Sequence, residues 1–555
     1  MSSVASTINS DVTADPARRM TGGRALVEML KRAGIDTIFG LPGVQLDGLF
    51  SVLYEEQSAI KVIHTRHEQA TAYMADGYSR STGKIGTCLV VPGPGLLNAS
   101  AALSTAYSTN TPVLCITGQI KSDMIGVGRG LLHEIPNQLE MIRSVTKQSE
   151  RAMTPGEIPG VFARALDALY TGRPRPVEIE IPPDTLFAEG DVALVSLRSE
   201  RERPAPDEVL VQQAAKALAT AQFPAIYAGG GVARGSASAQ LLELAELLGA
   251  PVVMTSNGKG SIDDRHPLAF NGHSGLLIRD KIDVAFGVGT RFLDGASNPN
   301  NYGFTTTIHL EIDPEEMDRN FTPDIALLGD VKVGLQAVID EIKRIGVSAG
   351  DRSDVLAAAR AESLAAVNSI SPQSPLAHAI RSEMPDDGIV VSEMTQLGYW
   401  GNIGFPVYHP NTWLTPGYQG TLGNGFCTAL GAKVGNPDKV VVSINGDGGF
   451  GFTMNELATM SQHNIAAIAV VFNDSAYGNV KRIQKVDLGG KEIASTLKNP
   501  DFVKLADAHD ITGRRATSPE ALKQAIKESI AANEPTLIEV PVEEMPNPWK
   551  VLGIR

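Results

Sequence analysis

Cysteine is scarce and scattered. The chain has three, Cys88, Cys115 and Cys427, none at a metal-ligand spacing and each inside an apolar stretch. That argues against a disulfide-stapled scaffold and a thiolate metal site, and for buried thiols in a cytoplasmic setting. No apolar run reaches the ~18 residues that a membrane-spanning helix needs, so no membrane partner is expected. No run of Lys and Arg offsets the net charge of -14, which argues against nucleic acid as a partner. Short-period repeats are lacking too. Residues 1–20 are rich in Ser, Thr and Asp without an apolar core, and read as a disordered tail and not as a signal peptide.

What is there is an ordinary globular composition, 43% apolar and 20% charged, over 555 residues. That length is too great for one core. Strand-like apolar runs alternate with helical stretches, which predicts βαβ units and mainly parallel sheets in three doubly wound α/β domains. Helical spacing covers Ala25–Ala33, and strands are expected at Thr37–Gly40, Thr87–Val91, Val113–Gly118 and Val177–Ile181. A charged, Pro-containing stretch, 182–206, reads as a linker. Further strands are expected near 224–228, 251–254, 283–287 and 307–312, then, after a polar stretch at 346–375, at Gly388–Ser392, Lys439–Ile444, Ala467–Phe472 and Thr536–Val540. The expected domains are 21–190, 205–345 and 372–548.

The run Val440 to Ile444 leads into Asn445, Gly446, Asp447, Gly448 and Gly449. A buried strand ending in such a turn offers backbone N–H groups to an anion, and a helix expected at Asn455–Gln462 adds its dipole. A carboxylate among phosphate-binding amides repels the phosphate unless a cation lies between, so Asp447 implies a hard ion such as Mg2+. Twenty-seven residues later a second strand ends in Asn473 and Asp474. One βαβ unit of that length returns the chain to the same sheet edge, where Asp447, Asp474 and the Ala476 carbonyl reach one ion.

Three more segments carry information. His64 to Arg80 contains Arg66, His67, Glu68, Gly77 and Tyr78; Pro92, Gly93, Pro94, Gly95 and Asn98 form a Pro-Gly turn; Leu414 to Gly425 is glycine-rich. In this order, over roughly residues 22–548, the segments resemble the thiamine-diphosphate enzymes of the acetolactate synthase and pyruvate decarboxylase group. The pattern is closest to acetolactate synthase-like large subunits.

The resemblance implies thiamine diphosphate and Mg2+. Glu68 falls on the glutamate that hydrogen-bonds the aminopyrimidine and so promotes loss of the C2 proton, a task for a carboxyl in an apolar cleft. Pro92, Gly93 and Asn98 fall on cofactor-binding positions, as do Gly446, Gly448, Gly449, Tyr477 and Gly478. Thr395 and Gln396 match positions near the diphosphate, Leu422 the apolar prop under the bent cofactor, and Gly420 a carbonyl that accepts from the pyrimidine amine. Asp474 stands where the family usually has Asn; it keeps an oxygen ligand, adds charge, and should hold metal more firmly. In this family the glutamate and the metal site meet across a subunit boundary, which implies a homodimer or homotetramer.

The substrate pocket matches no single relative. His133 stands where synthases usually carry Gln and decarboxylases a His-His pair; it is expected to move protons or bind a carboxylate. Gln45, just after the Pro42-Gly43 turn, is expected to line the pocket as a further catalytic residue. Val480 and Val44 replace the acids of a plain decarboxylase, Val480 matching the synthases, while Ile483 replaces their large aromatic. The segment from His273 to Gly287 is shorter than in flavin-binding synthases, which argues against FAD. The reaction implied is carboligation or decarboxylation of a small 2-oxo acid through a C2-carbanion/enamine. A 2-hydroxyacyl-CoA lyase is the alternative, and a non-catalytic regulatory subunit a remote one.

Overall fold

The computed structural model describes residues 14–291, 303–347 and 350–554. The chain divides into two compact units, Met1–Glu202 and Arg203–Arg555.

The first unit is built on a six-stranded parallel sheet ordered Lys61–His64, Thr37–Gly40, Gly86–Val90, Val113–Gly118, Val177–Ile181, Gln148–Arg151. The four inner strands are short runs rich in β-branched and apolar residues, buried on both faces as a helix-covered parallel sheet requires. The amphipathic helix Gly22–Arg32 packs Leu26, Met29 and Leu30 into one core with Leu114, Ile116 and Phe162. Its first turn is fixed by Thr21, whose side chain accepts the Arg24 N–H at 3.2 Å.

The second unit holds two such sheets. One runs Ala269–Phe270, Val252–Met254, Pro224–Ala228, Val284–Val288, Thr306–Glu311, Ile325–Leu328; the other runs Trp413–Leu414, Ile389–Ser392, Val441–Gly446, Ile468–Asn473, Thr536–Pro541, Thr512–Arg515. Every neighbouring pair in both is parallel. The expected α/β class with three mainly parallel sheets therefore holds.

Counted in chain order within each sheet, the first and last sheets share the order 2-1-3-4-6-5, whereas the middle one is wound 3-2-1-4-5-6. In all three the winding reverses beside strand 1, and the loops at the carboxyl ends of the strands there form the crevice where ligands of open α/β sheets bind.

Three sequence expectations need correction. Arg18–Thr21 is not tail but a strand, paired antiparallel with Glu189–Val192. It closes the edge of the unit by burying Val192, while residues 1–13 lie outside the described residues. For the same reason the stretch 182–206 is not all linker: it opens with the helix Pro183–Phe187 and that pairing strand. Finally, chain order past 548 continues, because Pro548–Val551 is a helix and Leu552 joins the last sheet's core.

Candidate active site

In the first unit the site is built at the winding reversal. Glu68 is the first residue of the helix Glu68–Thr82, whose N-cap His67 accepts the Gln69 N–H through Nδ1 at 3.1 Å. The half-buried Glu68 carboxylate accepts from Asn98 Nδ2 at 2.9 Å. Asn98 comes from the helix Pro94–Ser108, which starts one residue after Gly93. Gly93 has φ 59 and ψ -113, a conformation that L side chains avoid, and a Cβ there would lie 2.3 Å from the His133 carbonyl oxygen. Gln138, 1% exposed, holds this turn: its Oε1 accepts the Gly93 N–H at 2.8 Å, and its Nε2 donates to Gly118 O and Glu180 Oε2 at 3.0 and 2.8 Å. Arg151 on the neighbouring strand binds Glu180 in turn.

Gln45, in the short turn Val44–Leu46, reaches His133 and Leu132. Thus Glu68, Asn98, Pro92, Gly93, Gln45 and His133 gather around adjacent strand ends. Val44 is in the same turn as Gln45, 60% exposed.

In the second unit, Asp447 and Asp474 follow strands that pair directly, Gly446 opposite Phe472. Asp447 opens the helical turn Asp447–Phe450, so the helical start lies at the carboxylate itself and not only at the expected Asn455–Gln462, where the helix is Leu457–Gln462. The two carboxyls are within hydrogen-bond reach, and the Ala476 amide serves both. Both are held above the usual carboxylate range, first by burial; for Asp474 the negative charge of Asp447 adds to it. Asn499 donates to Asp447 Oδ2 at 2.5 Å and to Asn473 Oδ1 at 2.9 Å. Two abutting carboxyls in a half-dry site call for a cation between them. Among the described residues no group of three or more His, Cys, Asp or Glu gathers. A metal here therefore takes its remaining oxygens from backbone, water or ligand.

The anion cradle surrounds that pair. Thr395 caps the helix Gln396–Gly404, and its Oγ1 lies 3.3 Å from where a Gly446 Cβ would stand. Gln396 Oε1 accepts from buried Arg482 at 2.6 Å; an arginine only donates, so the amide NH2 faces the other way. That Nε2 is buried without a protein partner, next to Asp474 at Gly478. An orphaned donor beside a two-carboxylate pocket fits a metal-bound diphosphate.

Glu393 lies behind the glycines. Its Oε1 accepts the Gly423 N–H at 2.5 Å, and a Cβ on Gly449 would stand 2.3 Å from its carboxyl. Burial pushes Glu393 up to about 8, against the pull of the Gly423 and Gly446 amides. The ring of Tyr477 covers Gly448, at 2.7 Å from a Cβ there. Gly420 (φ 59) and Leu422 lie on the loop leading to Gly423, and Val480 and Ile483 stand exposed on the helix Gly478–Val486.

Glu393, Arg482, Asn499 and Gln138 escaped the sequence reading. Glu393 carried the signal that revealed Asp447, an acid just past an apolar strand, but without a flanking glycine pair. The other three sit in unpatterned segments and become site residues only through packing.

Three family models match the chain: the N-terminal TPP binding domain of thiamine pyrophosphate enzymes over residues 20–141, their central domain over 211–338, and their C-terminal TPP binding domain over 393–540. The chain is 32% identical to a probable acetolactate synthase large subunit of Methanocaldococcus jannaschii, over 95% of this chain and 93% of that protein. It is 33% identical to a probable 2-ketoarginine decarboxylase of Pseudomonas aeruginosa, over 95% and 94%. To the large subunit of acetolactate synthase isozyme 2 of Escherichia coli (strain K12) it is 30% identical, over 96% and 97%.

Proposed function

The chain belongs to the thiamine pyrophosphate enzymes, in their acetolactate synthase-like branch, and on that premise we propose that it makes or breaks a carbon–carbon bond beside the carbonyl of a small 2-oxo acid. The observation that carries this reading is the abutting pair Asp447 and Asp474 beside the orphaned Gln396 amide. The substrate class is supported by the relatives, which include both synthases and a 2-oxo acid decarboxylase by name.

Thiamine diphosphate supplies, when bound, a carbon nucleophile and a sink for the electron pair left when CO2 departs. The protein's own part is as follows. Asp447, Asp474 and the Ala476 carbonyl would hold Mg2+; the amides of Gly446 to Gly449, the Gln396 NH2 and Gly478 would hold the diphosphate. Glu68, kept in place by Asn98 at 2.9 Å, would hold or release a proton at its carboxyl toward the pyrimidine. Leu422 would give the cofactor apolar support, and the Gly420 carbonyl would accept from its amine. Val44, Val480 and Ile483 line the pocket. His133 takes up and returns protons at the substrate. Assembly as a homodimer or homotetramer completes the site, and the three free, buried cysteines suit a reducing cytoplasm.

The test is incubation with thiamine diphosphate, Mg2+ and a panel of 2-oxo acids, following CO2 and products by mass spectrometry. CO2 release with an aldehyde, or with a condensed hydroxy-oxo acid, is expected. No turnover on any 2-oxo acid, with cleavage of a 2-hydroxyacyl-CoA, overturns the substrate class.

A further inference from the structure

Gln45 and His133 lie 88 positions apart in the chain and meet at 3.1 Å, Oε1 to Nδ1. The other end of the same amide donates from Nε2 to the Leu132 carbonyl at 3.2 Å. A backbone carbonyl only accepts, so the NH2 must be on that side and Oε1 on the histidine side. An amide oxygen also only accepts. The His133 nitrogen that faces it therefore carries the proton, and in the neutral ring the lone pair falls on Nε2.

We propose that Gln45 is a positioning residue which holds His133 as its Nδ1–H tautomer, making Nε2 the atom that takes and returns protons at the substrate. The tautomer stands on the geometry alone; its use in turnover rests on the 2-oxo acid reading. The backbone that carries the ring is itself held in place. His133 has φ 69, its carbonyl is lodged against Gly93, and the Gly93 N–H is taken by Gln138 at 2.8 Å. Two residues on, Gly95 borders Glu68, whose Oε1 is 3.7 Å from a Cβ position there. His133 and Glu68 thus flank one Pro-Gly turn, which places the histidine in the same half-site as the cofactor-activating acid.

The charged groups on the elements around the ring are few. Glu134 and Arg129 are on its own loop, Asp47 follows Gln45, and Glu68 lies across the Gly93 turn. The Glu134 carboxylate is engaged by the amides of Gly128 and Leu131 at 3.1 and 2.8 Å. The turn Pro92–Gly95 and Gln138 bring no charge. A neutral amide is thus the partner that the ring has among the described residues.

The experiment is diethyl pyrocarbonate labelling of the holoenzyme across pH, with the His133-containing peptide quantified by mass spectrometry, alongside the pH–rate profile. Labelling follows the unprotonated ring, so its midpoint reads His133 whether or not a substrate is known. Gln45→Glu puts a carboxylate against Nδ1–H and should raise that midpoint by about one pH unit or more. Gln45→Leu removes the acceptor and should lower kcat about 10-fold with KM unchanged. Gln45→Glu restores an acceptor and should return kcat toward wild type above its raised midpoint. A labelling midpoint that Gln45→Glu leaves in place overturns the Gln45–His133 contact, and with it the tautomer assignment. A shifted midpoint with an unshifted rate profile in Gln45→Glu and full kcat in Gln45→Leu overturns the catalytic use. If no 2-oxo acid is turned over, the labelling arm still decides the contact, so the two failures are told apart.

Discussion

The first and last sheets are wound identically, yet they present different residues at the same place. The likeness goes down to single residues. In each, strand 5 ends in an arginine opposite a glutamate on strand 6, Arg151 with Glu180 and Arg515 with Glu539. Each glutamate then orients a side-chain amide at the sheet's carboxyl edge: Gln138 at 2.8 Å in one, Asn473 at 2.8 Å in the other. The difference lies after strand 3. There the first sheet has the neutral Pro92-Gly93 turn, held against His133, while the last has Gly446-Asp447 and the carboxyl pair that Asp447 makes with Asp474. A common frame positions loops; the residues on the loops decide whether the edge offers a neutral turn or a pair of carboxyls.

The largest expected effects separate those two roles. Asp447→Ala should abolish retention of thiamine diphosphate through gel filtration. Glu68→Gln should keep the cofactor bound while turnover falls by about 10²- to 10⁴-fold. Loss of cofactor in both variants would erase the division of labour between the two edges.

Next come the paired relays. Glu180→Ala leaves Arg151 unpaired in a largely buried site and should cost about 3–5 kcal/mol in chemical denaturation. Glu539→Ala should cost less, about 1–2 kcal/mol, because Arg515 is 44% exposed and keeps Asp501 at 2.8 Å. Equal costs would mean that burial does not set the difference. Smaller again is the effect at the last sheet's anion edge. Arg482→Met frees the Gln396 amide to turn, and should weaken cofactor binding by about 10-fold, or ~1.4 kcal/mol, by fluorescence titration. Unaltered affinity would show that Gln396 needs no such anchor.

A comparable effect, confined to high pH, concerns a row inside the sheets. Cys88, Cys115 and Glu178 pair across the first sheet where Ser443, Ala469 and Leu537 pair across the last. Glu178 is 0% exposed, and burial, followed by the charge of Glu180, raises it well above the ordinary glutamate range. The unfolded chain therefore gives up this proton at lower pH than the folded one. Its contribution to stability is full below the ordinary glutamate value and is lost as pH climbs toward the folded value. Glu178→Leu, copying Leu537, should raise stability by about 1–2 kcal/mol at pH 8, with the gain shrinking toward pH 5, in thermal melts. A gain independent of pH would show that Glu178 does not titrate as its burial demands.

Much of this was legible in the sequence because it is local. Val113–Gly118 and Val177–Ile181 are strands with the expected bounds, since a short apolar run ending in turn residues leaves a buried chain little else to form. Asp447 and Asp474 were legible as a pair, because the length of one βαβ unit fixes where its ends return. Arg18–Thr21 was not, because its partner is some 170 residues away and its own composition is that of a tail. Nor was the kinship of the first and last sheets, which share winding and one equivalent ion pair each but no repeated sequence.

The α/β class and the cofactor family were thus in the sequence alone, because those depend on strand-end spacing and on side-chain chemistry. Only the tertiary structure decided which nitrogen of His133 bears its proton, which way Gln396 presents its amide, and that Glu393 sits beneath Gly449. Hydrogen-bond direction and close approach depend on neighbours brought in from distant strands. Nothing in a residue's own stretch of chain encodes them.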